Sequence, residues 1–107
     1  MTLPKGHLGA IGELSVSNYY IKLGYEVFRN ISAHGPGDLI IWRQGETPLV
    51  IDVKSFASPY QRADGEYVYS RRALLREDGV YQVIYNHLTD NIIEPHELTR
   101  TRTEQPI

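Results

Sequence analysis

Asp52-Val53-Lys54 closes the apolar run Leu49-Val50-Ile51. On a strand, side chains two apart project to the same face. Asp52 and Lys54 therefore stand together, while Leu49, Ile51 and Val53 point to the other side. An acid and a lysine at the end of a buried strand mark a site rather than a surface. A second acid, Asp38, opens another apolar run, Leu39-Ile40-Ile41-Trp42. The residues between the runs, Arg43 to Pro48, are polar and carry Gly45, which reads as a turn. Folding about Gly45 sets Ile41 against Leu49, Ile40 against Val50, Leu39 against Ile51 and Asp38 against Asp52. Directly opposed side chains lie roughly 4.5–5.5 Å apart at Cβ, and like charges there repel. Two such carboxylates become favourable when a divalent cation bridges them. The chemistry on offer is that of a hard metal ion with an ammonium group alongside.

The elements that must position these residues follow from pattern. Residues 7–23 read as a helix, with Leu8, Ile11, Leu14 and Ile21 among its apolar positions, Lys22 in the last turn and Gly24 beyond it. Glu13 lies on this helix among Gly9, Val16, Ser17 and Tyr20 and is expected to point toward a sheet. Residues 25–31 read as a strand and residues 32–37 as a loop with Gly35, Pro36 and Gly37. Strands over 38–43 and 48–54 follow. Residues 55–65 read as irregular, 66–69 as a short strand, 71–77 as a short helix stopped at Gly79, and 80–85 as a strong strand. A turn over 88–91 leads into a short strand at Ile92 and Ile93, and residues 95–98 start a last helix. The tail from 99 to 107 is polar, without periodicity, and is expected to be disordered. The pattern is an α/β or α+β chain with an N-terminal helix and one mixed sheet flanked by helices.

The 107 residues fit a single domain, large enough for one core. With no cysteine, disulfides and thiolate metal sites are excluded. No apolar stretch approaches the roughly 20 residues of a membrane helix, and the first residues lack a signal-peptide core, so a cytoplasmic location without membrane attachment is expected. The net charge of −2 argues weakly against nucleic acid as a partner, but distribution matters more than the sum. Arg62, Arg71, Arg72 and Arg76 cluster in the second half, with Arg100 and Arg102 near the end. Such arginines are ordinarily solvated surface. They gain meaning if they border the acids. Most of the eight tyrosines are expected to line the sheet. His7, His87 and His96 have no ligand-like spacing.

In order and spacing the first half of the chain resembles the PD-(D/E)xK nucleases, the superfamily that shares the core of type II restriction endonucleases. The resemblance runs from Gly9 to Ser55: Gly-x-x-x-Glu ending at Glu13, the strand Tyr25-Glu26-Val27-Phe28-Arg29, the glycine-rich loop before Asp38, and Asp52-x-Lys54-Ser55. In flavour it is similar to archaeal Holliday-junction resolvases. It departs in reading Pro-Gly-Asp for Pro-Asp, and Asp52 stands where the resolvases more often carry Glu.

The resemblance implies a restriction-endonuclease-like core and Mg²⁺-dependent hydrolysis of DNA phosphodiesters, with Mn²⁺ able to substitute. Asp38, Asp52 and the Val53 carbonyl become the metal ligands, with Glu13 completing the set through water or a hydrogen bond. Lys54 orients the attacking water or neutralises developing charge, so Glu13, Asp38, Asp52 and Lys54 are the implied catalytic residues. Arg29, His34, Ser55, Arg62, Arg71 and Arg72 are the candidates for contact with nucleic acid. For His34 a solvated loop position competes with that role, and for Ser55 a strand-end hydroxyl does. One domain carries one active site and symmetric cutting needs two, so a homodimer acting on branched DNA is expected. Other DNA nucleases of this superfamily, such as a nickase, a repair or restriction-type enzyme or a phage genome-processing nuclease, are the alternative. A non-catalytic binding module of the same fold is another.

Overall fold

The computed structural model describes residues 3–32, 34–56, 60–61, 63–65, 67–68 and 72–104. Helix α1 spans Lys5–Lys22. It buries one stripe, Gly12, Val16 and Tyr20, at the four-residue spacing that keeps side chains on one face. Its end is a Schellman motif: Tyr25 N–H donates to the Tyr20 carbonyl at 3.0 Å, and Gly24 N–H to Ile21 at 2.9 Å. Gly24 supplies the left-handed φ of 92° that this motif requires. The Tyr20 and Tyr25 rings meet edge to face across the cap, centroids 5.9 Å apart.

Strands β1 (Glu26–Arg29), β2 (Leu39–Trp42) and β3 (Leu49–Phe56) form an antiparallel meander. The β2–β3 pairing is Leu39↔Ile51, Ile40↔Val50 and Ile41↔Leu49, the register expected from folding about Gly45. A short hairpin, β4 (Tyr60–Gln61) with β5 (Tyr67–Val68), follows β3. Within the stretch expected to be irregular, residues 55–56 and 60–61 are thus strand, while 57–59 and 62 lie outside the described residues. β6 (Leu74–Leu75) and β7 (Tyr81–Asn86) come next, and β7 lies parallel to β3. β6 and then β8 (Asn91–Ile93) pair antiparallel with β7, completing a six-stranded mixed sheet. Helix α2 spans His96–Glu104. The chain is an α+β fold with helix, mixed sheet and helix. No described helix is long and apolar enough to cross a membrane.

Two expectations fail here, for identifiable reasons. A helix is expected over 71–77; residues 72–77 instead carry strand β6 and lead into a turn. Asp78-Gly79 closes a tight hairpin: Arg76 N–H donates to Val80 O at 2.9 Å, Gly79 N–H to Arg76 O at 3.0 Å, and Gly79 takes φ 84°. An Asp-Gly pair between strands is a strong hairpin signal. It also resembles a helix stop, and the preceding arginines and leucines favour helix by propensity.

The second failure is the tail up to residue 104; residues 105–107 lie outside the described residues. Residues 99–104 are helical, because tertiary contacts hold what composition does not. Leu98 is fully buried in the main core cluster. Arg102 pairs with Glu94 at 2.6 Å inside the protein. Arg43, stacked 4.2 Å over the Tyr25 ring and paired with Glu46, donates to the Arg102 carbonyl at 2.9 Å.

The core lies between the helices and one sheet face: Val16, Tyr20 and Leu98 pack with Leu39, Ile41, Leu49, Ile51, Val83 and Tyr85. The approach of α1 to β3 is close. A Cβ added at Gly12 meets Ser55 Oγ at 2.0 Å and Val53 Cγ1 at 3.5 Å. Ser55 Oγ itself donates to the Leu8 carbonyl at 3.0 Å. Gly12→Ala gains roughly 1 kcal/mol of helix propensity but forces the helix outward or breaks the Ser55 bond. Overpacking of this kind costs about 1–3 kcal/mol. Thermal melts are expected to show a lower Tm for Gly12→Ala, partly restored in Gly12→Ala with Ser55→Ala. A single variant as stable as the parent counts against this packing.

Candidate active site

The site is built where β2 starts beside the end of β3. Asp38 N–H donates to the Ile51 carbonyl at 2.8 Å. One step on, its carboxylate replaces a ladder carbonyl, with Val53 N–H donating to Asp38 Oδ2 at 2.7 Å. This bond fixes Asp38 against β3. A strand residue sends its N–H and C=O to the same edge, so the Val53 carbonyl faces the Asp38 edge as well. The glycine before Asp38 is a steric necessity. A Cβ at Gly37 lies 2.4 Å from Val50 Cγ1 and 3.3 Å from the Ile51 carbonyl. The Pro-Gly-Asp sequence thus lets the loop pass close over β3. Asn30 ties that loop down, donating to the Gly37 carbonyl at 2.9 Å and the His34 carbonyl at 2.8 Å.

Asp52 is buried, 7% exposed. Its Oδ2 is fully buried and has no hydrogen-bond donor among the described residues. Two cations approach that oxygen without closing a hydrogen bond, Lys54 Nζ at 3.5 Å and an Arg76 guanidinium nitrogen at 3.7 Å. Burial pushes the Asp52 carboxyl pKa up, and the adjoining Asp38 carboxyl pushes it further, against the pull of Lys54. An orphaned buried oxygen beside a second carboxylate is unfavourable as it stands. Such a hard-oxygen donor set fits a divalent cation such as Mg²⁺.

The structure brings Asp38, Asp52 and Lys54 together but not Glu13. Among the described residues no three His, Asp or Glu side chains gather into a metal-binding group. α1 covers the β3 face that carries Val53 and Ser55, opposite the face of Asp52 and Lys54. Glu13 pairs instead with Arg29 at 3.7 Å, and the two line a small cleft of about 110 Å³ with Ala10, Leu14, Ser17 and Leu39. Glu13, expected to complete the set through water or a hydrogen bond, is held in that ion pair.

The remaining candidates divide. Ser55 faces the helix and bonds Leu8, so its hydroxyl acts as a packing group. His34 and Arg72 are exposed. Arg62 and Arg71 lie outside the described residues. Arg76, noted in the arginine cluster but not among the candidates for contact with nucleic acid, reaches the site from the β6–β7 turn. The Asp78-Gly79 hairpin signal is what could have placed it there.

The Asp52 face of the sheet is open on the β1 side. Phe28, Ile40 and Val50 align across the strands on that face. With Ile31, Pro36 and Gly37 they border a cleft of about 450 Å³. Phe28 is 54% exposed and Ile40 39%.

No protein-family profile matches the chain, and no curated protein matches it. Among solved structures, the fold is similar to that of a bacterial homing endonuclease, I-Ssp6803I, with a TM-score of 0.59 and 19% sequence identity over 84% of this chain and 67% of that one.

Proposed function

We propose that this protein is a Mg²⁺-dependent endonuclease that hydrolyses DNA phosphodiester bonds, with Mn²⁺ able to replace Mg²⁺. The observation that carries this reading is Asp52 Oδ2, a buried carboxylate oxygen without a donor among the described residues, set beside Asp38 and approached by two cations. The likeness of the fold to a homing endonuclease supports it. So does the sequence resemblance to PD-(D/E)xK nucleases.

Asp38, Asp52 and the Val53 carbonyl hold the metal in this proposal. When bound, the ion polarises a phosphate oxygen and makes a coordinated water more acidic. The chain's own residues do the rest. Val53 N–H holds Asp38 in place, and Gly37 lets the loop approach. The Lys54 ammonium, on the Asp52 face and 37% exposed at its side chain, orients water or meets charge developing on phosphate. Glu13 and Arg29 form a flanking ion pair rather than part of the metal site. The open face with Phe28 and Ile40 gives the DNA its approach. Two copies supply the two sites that symmetric cutting of a branched junction requires. A second reading keeps the nuclease chemistry without the preference for branched DNA, with linear duplex as its substrate.

Purified protein incubated with Mg²⁺ or Mn²⁺ and with four-way junction, flap, linear duplex or single-stranded DNA tests the reading. Cleavage of the junction in paired nicks is the expected result, with linear duplex as the marker of the second reading. If no DNA form is cut, and Asp52→Ala leaves metal affinity unchanged, the nuclease reading fails.

A further inference from the structure

Arg76 holds a fixed positive charge at the edge of the Asp38–Asp52 pair, and its hydrogen bonds among the described residues go elsewhere. One guanidinium nitrogen donates to Asp78 Oδ2 at 2.7 Å. The other donates to the Pro36 carbonyl at 3.3 Å, in the loop that delivers Asp38. Asp78 is itself fixed, because its Oδ1 accepts the Val80 N–H at 3.2 Å. The group is thus clamped from two sides, 3.7 Å from Asp52 Oδ2 and about a third exposed (36%). A guanidinium stays charged at any working pH. Lys54 approaches the same oxygen on a flexible stem. Arg76 approaches it on a brace.

A braced cation here has two opposite effects. It repels a divalent ion at Asp38 and Asp52. It attracts a phosphate presented to the same edge, and its planar fork suits phosphate oxygens. A phosphate that meets the guanidinium also offsets its repulsion of the metal. Each ligand then binds better when the other is present, and thermodynamic linkage makes the two enhancements equal.

We propose that Arg76 is a phosphate-contact residue that couples divalent-metal binding to DNA binding at the Asp38–Asp52 site. The proposal rests on the nuclease reading above and adds to it a reason for the DNA-free protein to bind cation weakly.

The test is a binding cycle. Mn²⁺ is titrated into the full chain, with bound ion followed by electron paramagnetic resonance, with and without saturating phosphorothioate-linked junction DNA. DNA affinity without metal is measured by fluorescence anisotropy across a salt series. Arg76→Gln is expected to raise Mn²⁺ affinity without DNA by roughly tenfold, the scale of one charge acting on a divalent ion across a water-exposed edge. It should also weaken DNA binding, lower the salt slope by about one, and shrink the enhancement of Mn²⁺ binding by DNA. Arg76→Lys keeps the charge and should stay near the parent in Mn²⁺ affinity. Asp78→Asn leaves an acceptor for Val80 but removes the anion that balances Arg76, so its Mn²⁺ affinity should fall. That opposite sign decides the matter should Arg76→Gln fail to fold. Unchanged Mn²⁺ isotherms in Arg76→Gln or, if that variant does not fold, in Asp78→Asn, overturn the proposal. So does a lower Mn²⁺ affinity in folded Arg76→Gln. A parent protein that binds neither Mn²⁺ nor DNA overturns the nuclease reading itself, a distinct result.

Discussion

Asp52→Asn is expected to abolish cleavage, by about 10³-fold or more, while making the protein more stable in the absence of metal. On the proposed function, the activity loss follows from removing a charged group that would hold the ion. Lewis-acid assistance contributes several kcal/mol of barrier lowering, and each 1.36 kcal/mol is tenfold in rate. The stability gain follows from the state of Asp52 without metal. Burial and the neighbouring Asp38 raise its pKa above the ordinary 3.8. A carboxyl with a raised folded pKa opposes folding when ionised. Its contribution therefore improves as pH falls through that folded pKa and levels off below the unfolded value. Asparagine keeps the shape and removes the charge, so the variant should melt higher at neutral pH. Relief of an active-site strain of this kind is commonly worth about 1 kcal/mol, or about 4–8 °C for a domain near this size.

DNA binding should be retained or improved, because a negative charge that faces phosphate is gone. Mg²⁺ should raise the Tm of the parent by binding only the folded state, and should leave the Asp52→Asn Tm nearly unmoved. Calorimetric melts with and without Mg²⁺, beside gel cleavage assays, read all three. A variant that melts lower than the parent without metal, or that still gains stability from Mg²⁺, would falsify the site as described.

The hairpin that carries this site was legible from local sequence alone. Leu39 to Trp42 and Leu49 to Ile51 are apolar runs separated by a Gly45 turn, and a short hairpin leaves few registers that keep Ile41 and Ile51 in the core. Asp38, Asp52 and Lys54 came with that register.

What was not legible depends on contacts far apart in sequence. Which sheet face α1 covers is set by the Gly12–Ser55 approach, and that decides that Glu13 meets Arg29 rather than the aspartates. Arg76 reaches Asp52 only because β7 runs parallel to β3 and brings the β6–β7 turn to the Asp38 loop. Helix α2 has one buried leucine and one largely buried arginine among polar residues, too sparse a pattern for periodicity to register. The cluster of Asp38, Asp52 and Lys54 was therefore local and readable. Its electrostatic surroundings were not, because they belong to the crossover.

The burial of Arg102 sets the other large effect, a loss of about 3–5 kcal/mol in Glu94→Ala. Glu94 accepts from Arg102 at 2.6, 2.9 and 3.1 Å, from the Tyr20 hydroxyl at 2.7 Å, and from Tyr19 and Thr99 at 3.3 Å. Truncation leaves a guanidinium that is 15% exposed without its anion and a buried Tyr20 hydroxyl without its acceptor. Small domains have only about 5–15 kcal/mol in total, so this variant should sit near unfolding and release α2 from the core. Pairing Glu94→Leu with Arg102→Met removes both charges at once and should recover much of the loss, since an apolar pair of similar volume often replaces a buried ion pair without penalty.

The same network sets an acid limit. Burial alone would raise the Glu94 pKa. The bonds from Arg102 and Tyr20 outweigh it and hold the group below its ordinary 4.5. A depressed folded pKa contributes stability that is complete above the unfolded value and lost as pH falls through the folded one. Denaturant melts should therefore show the parent losing stability below about pH 4.5, the ordinary value for this carboxyl. The double variant, Glu94→Leu with Arg102→Met, should show a shallower fall over the same interval, because it has no carboxylate left at this position to protonate. Parallel curves for the two proteins would mean that acid sensitivity arises elsewhere and that the Glu94–Arg102 pair is not what anchors α2.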